Sequence, residues 1–183
     1  MHIQQSRTYK LENVISQVFN AALLKTGQQY VYYPGDDGQY QKGAPPQGDR
    51  FTDNGDGTVT DNLTGLMWVK DPAQIPGGLF ASTMYWYDAI NACENLDYTG
   101  HDDWRLPNIN ELLSIVDHSR FDPAFDPMFF TPFLDNWTPY WSSTTCAPWT
   151  DGVWCLYPYD GYKTVWSKPY DMCYVRPIRG GQV

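Results

Sequence analysis

Residues 153–166 read VWCLYPYDGYKTVW, two runs of aromatic and β-branched residues on either side of Asp160-Gly161. An Asp-Gly pair between such runs is a strong hairpin signal, because the two-residue type I′ turn needs positive φ at both central positions. The segment predicts antiparallel strands with Tyr159 opposite Tyr162, Tyr157 opposite Thr164 and Cys155 opposite Trp166. Period-two alternation then places Cys155, Tyr157, Tyr159, Tyr162, Thr164 and Trp166 on one face. Trp154, Leu156 and Val165 share the other. The second face has the aliphatic residues of a core and the first has amphipathic aromatics, so the first is expected to face solvent and to bind.

The neighbourhood strengthens that expectation. Five of the eight Trp and six of the fourteen Tyr fall between positions 137 and 174. Tyr and Trp offer large contact area with few rotors and a polar tip, the chemistry concentrated in antibody-like binding surfaces. Trp141, Trp154 and Tyr174 are assigned to the core. The candidate ligand-binding set is Trp149, Asp151, Cys155, Tyr157, Tyr159, Asp160, Tyr162, Trp166, Ser167, Tyr170 and Asp171.

Composition narrows the partner. With 12 Lys and Arg against 21 Asp and Glu, net −9, the chain lacks the basic stripe that nucleic acid demands. Its apolar runs, such as AALL and MFF, fall far short of the roughly 18 residues a spanning helix needs, so membrane insertion is not expected. The N-terminal MHIQQSRTYKLENVISQVFN has polar residues where an export signal would carry its apolar stretch. The partner expected is a protein or glycan on a target surface.

No cofactor or metal site is expected. Cys93, Cys146, Cys155 and Cys173 form no C-x-x-C pair, and their pairing is open. His2, His101 and His118 are scattered. TDNGDGTVTDN resembles a calcium loop, but Thr52 stands first and Leu63 stands where a bidentate carboxylate belongs, so a β-turn between RFT and TVT is the better reading. Ser142 and Ser143 of YWSSTT lack a nucleophile elbow, and no catalytic residue is assigned. The sequons at Asn62 and Asn136 matter only in a glycosylating compartment.

Along the chain, Leu11, Val14, Ile15, Val18 and Ala22 share a stripe and predict an amphipathic helix over 9–25, suited to attaching a carrier protein. A Tyr/Val strand is expected just after it, within 27–50. A helix is expected over 83–96, with Trp86, Ala89, Ile90 and Cys93 inward. In PNINELLSIVD, Asn108 and Glu111 make a capping box for the next. Strands follow from Tyr140. The fold class is α+β, helices before sheet, with an N-terminal helical unit at 1–26 and one domain at 27–183.

The blocks KTGQ, GDDGQYQKG, RFTDNGDGTVTDNLTGLMWVKD, DWRLPNINELLSIVD, YWSSTT and YVRPIRGGQ resemble the C-terminal domain family of collagen-like bacterial adhesins, in family order from about Lys25 to Gln182. The resemblance implies a C-type-lectin-like fold, two main helices packed on twisted antiparallel sheets. YWSST and YVRPIRGG also look like the formylglycine-generating branch, which includes the variable proteins of diversity-generating retroelements. In those proteins an error-prone reverse transcriptase rewrites the C-terminal segment at adenines. An AAC codon can become Tyr, Asp, Ser, Gly or Cys, so Cys155, Tyr157, Tyr159, Asp160, Tyr162, Ser167, Tyr170 and Asp171 fit a variable segment at about 146–173. Trp149, Lys163, Trp166, Lys168 and Met172 do not. The resemblance thus implies a non-enzymatic recognition module displayed on a virion or cell surface. A fixed polysaccharide-binding adhesin is the alternative, and a formylglycine-generating enzyme the weaker one, because Cys155 and Cys173 are widely spaced.

Overall fold

The computed structural model describes residues 23–44, 48–131, 135 and 137–181. Most of the helix expected at 9–25, and with it nearly all of the 1–26 unit, lies outside the described residues; its last three positions, 23–25, are not helical, since Leu24 forms a β-bridge with Ala44. The elements are helix α1 (Asp37–Tyr40), strands β1 (Phe51–Asp53), β2 (Thr58–Asp61) and β3 (Leu66–Val69), helices α2 (Trp86–Glu94) and α3 (Ile109–Ser114), and strands β4 (Tyr140–Thr145), β5 (Gly152–Leu156), β6 (Lys163–Ser167) and β7 (Ile178–Gly180). Short 3-10 turns at Pro72–Gln74 and Leu79–Ala81 link β3 to α2. The class is α+β, with one antiparallel sheet ordered β1-β2-β3-β7 and a second ordered β4-β5-β6. Strands therefore precede the two longer helices as well as follow them, contrary to the expected order. LMWV, too short to show a period by itself, becomes β3 because the β2 and β7 backbones flank it.

Local chemistry sets the boundaries. The β1–β2 turn is held by Asp53, which accepts from the Gly55 amide at 3.0 Å, and by Asp56, which accepts from the Thr58 amide at 2.9 Å. Gly57 within it has φ +95, and a Cβ there would stand 2.2 Å from the Tyr98 hydroxyl. Helix α3 has the expected capping box, and Arg105 grips Glu111 through two bonds of 2.8 and 2.6 Å. Helix α2 starts later than expected because Met84 exchanges backbone hydrogen bonds of 3.0 and 3.2 Å with Cys173. The Tyr/Val strand is absent: Tyr30, Val31, Tyr32 and Tyr33 are exposed loop residues. There the Asp36 carboxylate accepts from the Tyr32 amide at 2.8 Å and caps α1 through the Gln39 amide at 3.1 Å, a local competitor that a strand without neighbours cannot outbid.

Apolar side chains form two clusters, and the β4-β5-β6 sheet lies between them. Tyr140 and Leu156 join Trp68, Leu112, Phe125 and Ile178 on the α3 side. Trp141, Val153 and Cys155 join Ala89, Cys93 and Trp104 on the α2 side, with Trp166 packed against them. The face expected to meet solvent is therefore a core face in the strands themselves. Both faces of this sheet are covered, so alternation sorts side chains between two cores and not between core and water.

The hairpin register also differs. Cys155 pairs with Thr164, Leu156 with Lys163 and Val153 with Trp166, a slip of two residues from the expected pairing. The turn is wider because Tyr157 donates to the Tyr162 carbonyl at 2.9 Å and Gly161 donates to the Tyr157 carbonyl at 3.0 Å. The carbonyls of Pro158 and Tyr159 instead accept from the amides of Ala124 and Asp122, at 2.8 and 2.7 Å. A neighbouring segment thus takes the Tyr159 carbonyl that a two-residue turn would have paired with the Tyr162 amide. A slip of two preserves which side chains share a face. Asn108→Ala, which removes the α3 cap, is expected to cost about 1 kcal/mol and to lower the melting temperature by roughly 2–4 °C, read by urea and thermal denaturation; unchanged stability would mean the cap contributes nothing.

Candidate functional site

The candidate residues divide between the two ends of the β5–β6 hairpin. Tyr157, Tyr159, Asp160 and Tyr162 lie in the connecting loop. Trp149, Asp151, Ser167, Tyr170 and Asp171 lie at the opposite end, where β5 begins and β6 ends. A five-residue strand at about 3.4 Å per residue separates them by roughly 17 Å. Cys155 and Trp166 sit between. Cys155 is fully buried and Ser167 nearly so, which takes Cys155 off the face where alternation placed it and both side chains out of the expected ligand-binding surface. Trp166 is half-buried against the α2-side cluster.

In the loop, Tyr162 is 63% exposed, and its ring lies 6.4 Å from that of Tyr157 at 29°. Tyr157 meets Trp166 edge-on at 6.3 Å and is half-buried. Burial raises the Tyr157 phenol above its ordinary value, opposed by a hydrogen bond from Trp166. Asp160 accepts from the Tyr162 amide at 2.9 Å. Gly161, at φ +76, lets the loop close on the segment just after α3: a Cβ would stand 2.6 Å from Val116 Cγ1. Tyr159 stacks on Trp137, with ring centres 4.4 Å apart at 21°, and meets Phe121 at 6.3 Å and 70°.

At the other end, the Trp149 ring lies over Gly152, whose missing Cβ would fall 2.4 Å from it. Lys168 is buried, with its ammonium donating to Thr145 Oγ1 and the Thr150 carbonyl, each at 2.9 Å, and standing 4.4 Å from the Trp86 ring centre. The Asp171 carboxylate accepts from the Ser167 amide at 2.7 Å, which shapes the turn that leaves Tyr170 83% exposed. Asp151 and Trp149 are exposed beside it. Each end therefore presents aromatic rings and carboxylates on a backbone fixed by its own hydrogen bonds. Such a surface can stack on a flat or apolar partner and accept hydrogen bonds from it.

Residues 57–179 match the Lcl C-terminal domain family. The chain belongs to that family. The match takes in β2 through β7 and therefore both ends of the hairpin, while β1 and α1 precede it. No curated protein matches the chain. Within the Lcl C-terminal domain the tertiary structure adds residues that the sequence reading left out of the site: Phe121 and Trp137 at the loop end, Trp86 and Lys168 at the other. Trp137 belongs to the aromatic-rich stretch and could have been included on that ground. Phe121 carries no local signal, being brought to Tyr159 by the Asp122 backbone contact.

Among the described residues, no group of three or more His, Cys, Asp or Glu side chains is placed to hold a metal ion. The Asp53 carboxylate of the calcium-like loop is paired with Lys70 at 2.5 Å, and this hydrogen bond holds it below its usual range. Asp56 is engaged by the Thr58 amide and hydroxyl, at 2.9 and 2.6 Å. Chelation by EDTA is accordingly expected to leave the melting temperature unchanged; a large loss restored by calcium but not by magnesium would show that this loop is a calcium site.

Proposed function

We propose that this chain is a binding module that recognises a protein or glycan on a target surface through the exposed aromatic residues at the ends of the β5–β6 hairpin. The observation that carries this reading is the exposure of Tyr162, Tyr170 and Trp149 on turns whose bases are buried between two cores. Large rings held exposed at fixed turns offer a partner wide contact area and a polar tip at little ordering cost. We read the scaffold as C-type-lectin-like: two helices lie on opposite sides of a small sheet that carries the candidate loops, and β7 returns beside β3. Display on a virion or cell surface, with residues 1–26 docking a carrier protein, completes the proposal.

A diversified surface, as in the variable proteins of diversity-generating retroelements, suits Tyr157, Tyr159, Asp160, Tyr162, Tyr170 and Asp171, which lie in turns. It suits Cys155 and Ser167 less well, because exchange at a buried position disturbs packing. That burial favours, at those two positions, the second reading: a fixed adhesin domain for polysaccharide. An enzymatic role is not proposed. The four cysteines are buried free thiols, and desolvation pushes those of Cys93 and Cys173 upward, away from the thiolate that such chemistry needs.

The test is a combined Trp149→Ser, Tyr162→Ser and Tyr170→Ser variant against a glycan array and a panel of cell-surface proteins. Loss of every wild-type signal is expected, with the melting temperature shifted by no more than about 4 °C, since surface changes are individually small. Binding retained by the folded variant would overturn the proposal. The neighbouring DNA separates the two readings: a reverse transcriptase gene and a near-copy of the 3′ coding segment that differs at adenines identify a diversified protein, and their absence a fixed adhesin.

A further inference from the structure

At the loop end of the hairpin, three rings from three separate segments meet at the surface. Trp137 is 69% exposed and Phe121 73%, and both contact Tyr159. One face of Trp137 is taken by the stacked Tyr159 ring, and no other ring among the described residues meets the indole. The segments carrying the rings are held by backbone bonds. Asp135 accepts from the Trp137 amide at 2.8 Å, and the Tyr159 carbonyl accepts from the Asp122 amide at 2.7 Å. A partner would therefore meet preordered rings and need not order them on binding.

Carboxylates neighbour the cluster residues along the chain. Asp122 adjoins Phe121, Asp160 adjoins Tyr159, and Asp135 lies two positions before Trp137. The cations nearby are already engaged. Arg120 pairs with Asp117 at 3.2 Å and with Asp126 at 3.7 Å, and the Lys163 ammonium stands 4.3 Å from the Trp154 ring centre. Negative charge thus dominates a patch of aromatic rings on a chain whose net charge is −9. An anionic ligand would meet like charge there. A wholly apolar one would strip water from carboxylates without replacing their partners.

We infer that the Phe121–Tyr159–Trp137 cluster is the docking point for a cationic side chain, Arg or Lys, in a basic segment of a protein partner. An Arg or Lys over the other face of Trp137 gains the attraction of the ring quadrupole, strongest for indole. The Asp160 carboxylate, one oxygen of which holds the Tyr162 amide, accepts its N–H donors through the other in a charge-assisted bond. This deepens the proposed function, on which it rests through Tyr159, and it selects a protein over a glycan.

The experiment is isothermal titration of the whole chain with a tetra-arginine peptide at physiological ionic strength, beside a Gly-Ser peptide of equal length and neutral malto-oligosaccharides. Binding of tetra-arginine alone is expected, weakened about tenfold by Trp137→Ala and by Asp160→Asn. Asp102→Asn, which removes the same charge from an exposed loop outside the cluster, is expected to change it less than about twofold. Phe121→Ala, at a fully surface ring, repeats the test if Trp137→Ala fails to fold. Equal weakening by Asp102→Asn and Asp160→Asn would reduce the effect to overall charge and overturn the inference. So would oligosaccharide binding that depends on Trp137, or no binding of any probe. If the inference fails while the Trp149, Tyr162 and Tyr170 variant still loses its surface targets, the binding function stands and only the cationic partner is withdrawn.

Discussion

A fully buried guanidinium holds this domain together. Arg176 donates to the carbonyls of Val69, Lys70 and Thr131 and to the Tyr140 hydroxyl, and lies against the Phe130 and Tyr140 rings. A cation taken out of water is very costly unless the bonds it had with solvent are largely replaced; here both terminal nitrogens are satisfied and Nε alone has no hydrogen-bond partner among the described residues. Those replacements come from the end of β3, from the segment around Thr131 and from β4, so the three must be brought to one point for the charge to be tolerated. The two sheets, which share no strand pairing, are joined there. Desolvation raises the Tyr140 phenol above its ordinary value while the adjacent guanidinium opposes that rise, so the hydroxyl remains a neutral acceptor beside the charge.

That junction determines where a binding surface can be. Once β4 is fixed against the first sheet, Tyr140 turns to the α3 side and Trp141 to the α2 side, and the Trp141 indole donates to the Met84 carbonyl at 2.8 Å. Strands β5 and β6 continue the same sheet and inherit two covered faces. Little of either face of the strands is left for a ligand, and the most exposed aromatic residues of this hairpin are those in its turns. The loops do not need to flex to be accessible. Pro158, Tyr159 and Gly161 are tied to the 122–124 segment and to Val116, and the far turn is tied by Asp171 and Lys168. Function on loops and rigidity in the scaffold are thus consequences of one arrangement.

The sequence by itself determined the α+β class, both helices, the capping box at Asn108 and Glu111, the ordinary β-turn at Asp53–Asp56, and the concentration of binding-type aromatics near the C-terminus. These are local properties: capping, turn chemistry and helical period act within a few residues, and a reader of the chain sees all the groups involved. Tertiary structure alone decided the hairpin register, the burial of Cys155 and Ser167, the place of β3 between β2 and β7, and the meeting of Phe121 and Trp137 with Tyr159. Each of these depends on a partner distant in the chain. Alternation states that Cys155 and Leu156 face opposite ways, but whether a face meets water or a helix is settled only when α2 and α3 pack on the sheet. The Asp160-Gly161 signal likewise was real and incomplete, because the Tyr159 carbonyl that a two-residue turn needs was claimed by the Asp122 amide, a group that no local pattern connects to it.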